Sequence, residues 1–147
     1  MSRTALLDVN LLIALFDPDH ANHEAAHSWF ARNRAHGWAT CPITENAVVR
    51  ILSNPGYKGA ERRPAQIALQ LDAFKKSGHH VFWPDQVSLI DRKIFRLEAI
   101  AGHQQTTDVY LLGLAKHENG RLATFDRSIP LKAVNGASDE HRTLVAA

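Results

Sequence analysis

Ala5-Leu6-Leu7-Asp8-Val9-Asn10-Leu11-Leu12-Ile13-Ala14-Leu15-Phe16 is the stretch from which the fold is read. Its opening apolar run, Ala5-Leu6-Leu7, has the length and character of a buried strand, and Asp8 ends that strand. Residues 11–16 then read as a short helix that stops before Asp17-Pro18, because the residue ahead of a proline is pushed out of the helical region. The acid between these two elements is the informative residue. An unpaired carboxylate in a buried strand costs several kcal/mol where Val or Ile would cost nothing, and a cation removes that cost.

The same alternation continues outward. From Asn22 the positions Ala26, Trp29 and Phe30 keep helical spacing until His36-Gly37. Trp38-Ala39-Thr40-Cys41 is a second short strand, closed by Pro42. Ile43, Ala47, Val48, Ile51 and Leu52 form one face of a helix that stops at Asn54-Pro55-Gly56. Residues 63–76 predict another helix, with Ile67, Leu71 and Phe74 inward, and His80-Val81-Phe82-Trp83 a third strand, stopped by Pro84. Val87, Ile90, Ile94, Leu97 and Ala101 lie on one stripe and predict the clearest helix of the chain, over 87–101, ended by Gly102. Thr106-Thr107-Asp108 caps a further helix through Ala115. After Asn119-Gly120, Leu122-Ala123-Thr124-Phe125 forms a fourth strand ending at Asp126, and residues 143–146 add a fifth.

Short apolar strands alternating with amphipathic helices imply an α/β chain with a parallel sheet covered on both faces and joined by right-handed crossovers. The expected architecture is a three-layer sandwich. Its central sheet is mainly parallel, with four to five strands flanked by helices, and residues 1–147 form one domain. The composition agrees: 147 residues with 45% hydrophobic and 22% charged suit one globular core. A net charge of +2 permits a polyanionic partner without indicating one. Cys41 is the only cysteine, which excludes an internal disulfide and any paired-cysteine metal site. Asp8 comes too early for a secretory apolar region, and no run approaches the roughly 18 apolar residues of a membrane span, so a cytoplasmic protein with no membrane partner is expected.

Open parallel sheets bind ligands beyond the carboxyl ends of their strands. Asp8 and Asp126 sit at two such ends, Glu45 starts the helix after the second strand, and Asp108 opens the helix before the fourth. Singly, all but Asp8 have an ordinary explanation. Glu45 and Asp108 complement the positive end of a helix dipole, worth about 0.3–1 kcal/mol each, and Asp126 suits a turn. Together at one crevice they repel and raise one another's pKa unless something positive neutralises them. A carboxylate set without Cys or His suits Mg²⁺ or Mn²⁺. Such ions activate water against a phosphodiester with no side-chain nucleophile.

At these residues the sequence resembles the PIN-domain nucleases, and within them the VapC-type ribonuclease toxins of bacterial toxin–antitoxin pairs. Leu6-Leu7-Asp8-Val9-Asn10 resembles the family's first motif, with Asp8 as metal ligand and Asn10 orienting the site. Ile43-Thr44-Glu45-Asn46, followed by Arg50-Ile51-Leu52-Ser53-Asn54-Pro55, is similar to the second and gives Glu45 as the second acid. Thr107-Asp108 resembles the third and makes Asp108 a ligand, with Val109 where many relatives carry Ala, and Leu122-Ala123-Thr124-Phe125-Asp126 the fourth, with Thr124 supporting the site and Asp126 completing it. The resemblance implies a PIN fold and a metal-dependent endoribonuclease that acts on single-stranded RNA. It also implies a homodimer inhibited by a small cognate antitoxin, with Arg50 facing phosphate, antitoxin or solvent.

Other features carry less. His20, His23 and His27 have the i, i+3, i+7 spacing of a metal site but no matching acid or cysteine, and read as a solvated face. His79-His80 reads as an ordinary strand entry. Arg62-Arg63 and Arg92-Lys93 with Arg96 read as solvated helix faces. An aspartate-based phosphatase needs a second acid where Asn10 stands, and a phospho-accepting receiver domain needs paired acids after the first strand. A catalytically silent binding module on the same fold is the remaining alternative.

Overall fold

The computed structural model describes residues 3–57 and 62–146. In chain order it contains β1 (Ala5–Leu7), α1 (Val9–Phe16), α2 (His23–Asn33), β2 (Trp38–Thr40), α3 (Pro42–Leu52), α4 (Pro64–Lys75), β3 (His80–Phe82), α5 (Thr106–His117), β4 (Arg121–Thr124) and β5 (Arg142–Leu144). The strands form one five-stranded sheet in the order β3-β2-β1-β4-β5, and every pairing is parallel. The chain steps from β1 out to β3, then crosses back to β4 on the other side of β1. The strand order therefore reverses between β1 and β4, which is where open α/β sheets place their ligands.

Alternation along the strands divides the core in two. Ala5, Leu7, Trp38 and Ala123 face a layer built from α1 to α4. Leu6, Ala39, Leu122 and the buried face of α5 pack on the opposite side with Trp83, Phe95 and Ile129. This is the expected three-layer sandwich. Proline starts α3 and α4 at the first helical turn, where its missing N–H is not needed. The backbone N–H of Cys41 donates to Thr44 Oγ1 at 3.0 Å, which fixes the entry to α3.

Two sequence expectations are corrected. Residues 87–101 do not form a helix: they make an irregular strap with only a short 3₁₀ turn at Leu97–Ala99. Ile90, placed on the buried stripe, is 85% exposed, and the buried residue is Phe95. Local and tertiary partners outcompete the helical ladder for the backbone. Ser88 and Asp91 side chains accept the N–H groups of Ile90 and Lys93 at 3.3 and 3.0 Å. The Asn135 amide donates to the carbonyls of Arg92 and Lys93, and the Arg96 N–H donates to the Ala133 carbonyl at 2.8 Å. Phe95 then bridges to Val134 and lies on Gly113 of α5, where an added Cβ would stand 2.3 Å from the ring. Arg92, Lys93 and Arg96 are exposed on this strap instead of on a helix face.

The second correction concerns His23, which is half-buried, while His27 keeps the exposed place expected of it. Their rings lie 4.4 Å apart, and they hydrogen-bond the carbonyls of Ala14 and Leu15 at 2.7 and 2.9 Å. They cap the carboxyl end of α1, whose last carbonyls lack helical partners.

Candidate functional site

The register between β1 and β4 builds the first half of the site. Leu7 pairs with Ala123, so the next residues, Asp8 and Thr124, are neighbours with side chains on the α5 side of the sheet. The Asp8 N–H donates to the Ala123 carbonyl at 3.0 Å, which holds Asp8 in line with the strand although α1 begins at the following residue. Its carboxylate is 2% exposed and accepts the Thr124 hydroxyl at 2.5 Å. Thr124 Oγ1 in turn accepts the Asp126 N–H at 3.0 Å. One threonine thus joins the first acid to the backbone of the last. The Asp126 carboxylate closes its own turn by accepting the N–H and hydroxyl of Ser128 at 2.8 and 2.6 Å.

Asp108 enters from the first turn of α5, and the electrostatics show that the three aspartates share one locality. Burial pushes Asp108 up to about 7, and the negative charges of Asp8 and Asp126 add to the effect. Asp8 is also raised, chiefly by burial. Its bond from Thr124 and the amides of Val9 and Asn10 oppose that shift, and Asp126 reinforces it. Among the described residues no Lys, Arg or His forms a salt bridge with any of the three. Here is a negative notch without a counter-charge.

Glu45 stands differently. It lies in the first turn of α3, but its Oε2 accepts the Thr40 hydroxyl at 2.6 Å and pairs with Lys75 Nζ of α4 at 2.7 Å. Thr40 Oγ1 also contacts His80 Nε2 at 2.7 Å. Because the hydroxyl hydrogen goes to Glu45, the network assigns the Nε2 proton to His80, which donates to Thr40. Burial together with the Lys75 charge lowers the His80 pKa, in keeping with a neutral ring. Alternation places Thr40 and His80 on the α1–α4 side of the sheet, opposite Thr124. Glu45 is drawn to that side and borders a groove of about 780 Å³ between α3 and α4, with Arg50 and Lys75.

All four acids therefore reach the carboxyl edge of the sheet, but only the aspartates are shown to interact. As they stand, no three His, Cys, Asp or Glu side chains among the described residues are arranged to hold an ion. Thr124 lies in the notch, Asn10 and Thr107 are exposed on the first turns of α1 and α5, and Arg50 is exposed at the end of α3. Sequence reasoning missed Lys75, Thr40 and His80, which decide where Glu45 points. The only signal available for them was the expected position of the helix and strands that bear them.

A family model described as PIN domain matches residues 5–135. Ribonuclease VapC44 of Mycobacterium tuberculosis is 43% identical over 140 residues, spanning 93% of this chain and 96% of that protein. Ribonuclease VapC39 of the same organism is 44% identical over 133 residues, spanning 90% and 96%. The crystal structure of Mycobacterium tuberculosis VapC20, a sarcin-ricin loop cleaving toxin, matches with a TM-score of 0.59 at 12% identity, covering 89% of this chain and 99% of that one. That last likeness is one of fold. The chain belongs to the PIN-domain family, in its VapC-type branch. Among the described residues no helix is long and apolar enough to cross a membrane.

Proposed function

We propose that this chain, read as one PIN domain, is a metal-dependent endoribonuclease and the toxin of a toxin–antitoxin pair, in which Asp8, Glu45, Asp108 and Asp126 hold Mg²⁺ or Mn²⁺ against an RNA phosphodiester. One observation carries the reading: at the strand-order reversal the charges of Asp8 and Asp126 act on Asp108, and burial makes Asp8 and Asp108 resist ionisation. A structural cluster would be expected to bring a lysine or arginine with it. The donor set fits a hard cation, because it is made of oxygen alone. An open arrangement fits as well, since Mg²⁺ keeps several waters and uses one or two carboxylates with substrate phosphates rather than a closed protein cage. The chemistry such an ion supplies is activation of a water and neutralisation of charge at the scissile phosphate.

The chain's own residues supply position. Thr124 holds one Asp8 oxygen and fixes the loop that carries Asp126. Asp108, at the start of α5, is aimed by the helix behind it. Named relatives over 40% identical are ribonucleases, which supports RNA as substrate and a cognate antitoxin as partner. We extend the proposal to a homodimer on family grounds. The test is cleavage of single-stranded RNA by purified protein in Mg²⁺ or Mn²⁺. Cleavage should stop in EDTA and in Asp8→Asn. Cleavage that continues in EDTA would remove the metal from the mechanism, and a well-folded protein that cuts nothing would favour the silent binding module.

A further inference from the structure

Glu45 is the only one of the four acids with a cation already on it. The contact is short, 2.7 Å from Lys75 Nζ to Oε2, and both side chains are largely shielded, at 24% and 23% exposure. Screening by salt and water is weak there compared with an open surface pair. Lys75 is itself seated: its ammonium lies 5.2 Å from the centre of the Phe82 ring, and it occupies the last turn of α4, where a positive charge meets the helix's negative end. Thr40, fixed by His80, holds the same carboxylate oxygen from the strand side. Two fastenings therefore keep Glu45 on the α3–α4 side of the sheet, away from the aspartates.

We propose that Lys75 is a positioning residue that competes with the divalent ion for Glu45, so that loading of the aspartate notch requires the Glu45–Lys75 pair to open. This rests on the reading that the acids bind an ion. In its resting state the site is then a three-aspartate notch of reduced affinity, and Glu45 is a fourth ligand held in reserve. Lys75 and Thr40 engage the same oxygen, Oε2, and hold the carboxylate away from the notch, so the ion must win the side chain back from both. Lys75 thereby sets the cation concentration at which the site fills, without touching the reacting phosphate.

The test is a Mn²⁺ titration of the full chain, followed by electron paramagnetic resonance of free Mn²⁺, with no RNA present. Lys75→Met keeps the aliphatic stem and removes the charge, and it should bind Mn²⁺ about tenfold more tightly than the unsubstituted chain. Lys75→Arg should restore the unsubstituted affinity to within about twofold, since it keeps the charge. On a Glu45→Gln background, Lys75→Met should give no gain, because the group competed for is gone. Lys75→Gln serves if the Met variant is poorly folded, with the same expectation. Equal or weaker Mn²⁺ binding by the charge-removed variant, while the unsubstituted chain binds, would overturn the proposal and leave the ion-binding reading intact. No Mn²⁺ binding by either the unsubstituted chain or Lys75→Met would overturn both.

Discussion

The two sides of the sheet's carboxyl edge hold acids in opposite conditions. On the α5 side, Asp8, Asp108 and Asp126 are gathered without a positive partner, and burial raises the first two. On the α1–α4 side, Glu45 is neutralised by Lys75 and hydrogen-bonded by Thr40. Both sides use one device, a threonine hydroxyl from a strand end that donates to a carboxylate, Thr124 to Asp8 and Thr40 to Glu45. What separates them is the cation. A carboxylate given a lysine gains stability for the apo fold, whereas carboxylates left without one make the fold pay for readiness to bind.

That contrast predicts unequal responses to substitution. The largest effect should come from Asp8→Asn or Asp108→Asn, each cutting RNA-cleavage rate by about 10³-fold or more in saturating Mn²⁺. Glu45→Gln should cost less, roughly 10- to 100-fold. Equal losses at all four positions, in single-turnover assays, would erase the distinction between the two sides.

Next in size are the supporting threonines. Thr124→Val removes the only side-chain hydrogen bond to Asp8 among the described residues and the acceptor for the Asp126 N–H, and should weaken Mn²⁺ binding by about 10- to 100-fold. Thr40→Val leaves Glu45 still held by Lys75 and should change it by less than about fivefold. Calorimetric titration of the two variants side by side gives the comparison, and a reversed order would refute it.

The smallest effect is on stability, and its sign follows from Asp108. A carboxyl whose pKa rises from 3.8 to about 7 on folding binds more protons in the folded state than in the unfolded one across that interval. Its contribution therefore falls as pH climbs from about 4 to about 7 and stays low above that. Asp108→Asn should raise the Tm at pH 8 by roughly 3–6 °C, reflecting about 1–2 kcal/mol once solvent access to the carboxyl is allowed for. At pH 4 the gain should vanish. Excess Mn²⁺ should raise the Tm of the unsubstituted chain at pH 8 more than that of Asp108→Asn, because it binds the ionised form. Thermal scans at the two pH values check both statements.

Much of this was legible before any coordinates. Asp8 announces itself because it interrupts Leu6-Leu7, and the places of Asp108 and Asp126 follow from the ends of neighbouring elements. Glu45 was placed at the right helix start, yet its direction was not readable. It depends on Lys75, which comes close only after α4 has folded back on α3. The strap over residues 87–101 misled for a related reason. Its apolar residues recur at helical intervals, but Ser88 and Asp91 accept nearby amides, and from a distant loop the Asn135 amide donates to the Arg92 and Lys93 carbonyls while the Ala133 carbonyl accepts the Arg96 N–H. Periodicity records which residues are apolar and cannot weigh such partners. The half-burial of His23 is not readable from its own helix, because its carbonyl partner, Ala14, belongs to another.

The bare flank of α5 at Gly113 has a consequence for how this chain tolerates change. The helix presenting Asp108 is braced from outside by one aromatic ring seated in a socket that any methyl would fill. Alignment of that helix depends on a ring and a hydrogen atom fitting together, so a side chain at position 113 would push the strap and the helix apart. A methyl at position 113 is thus expected to disturb the setting of Asp108 without touching that acid.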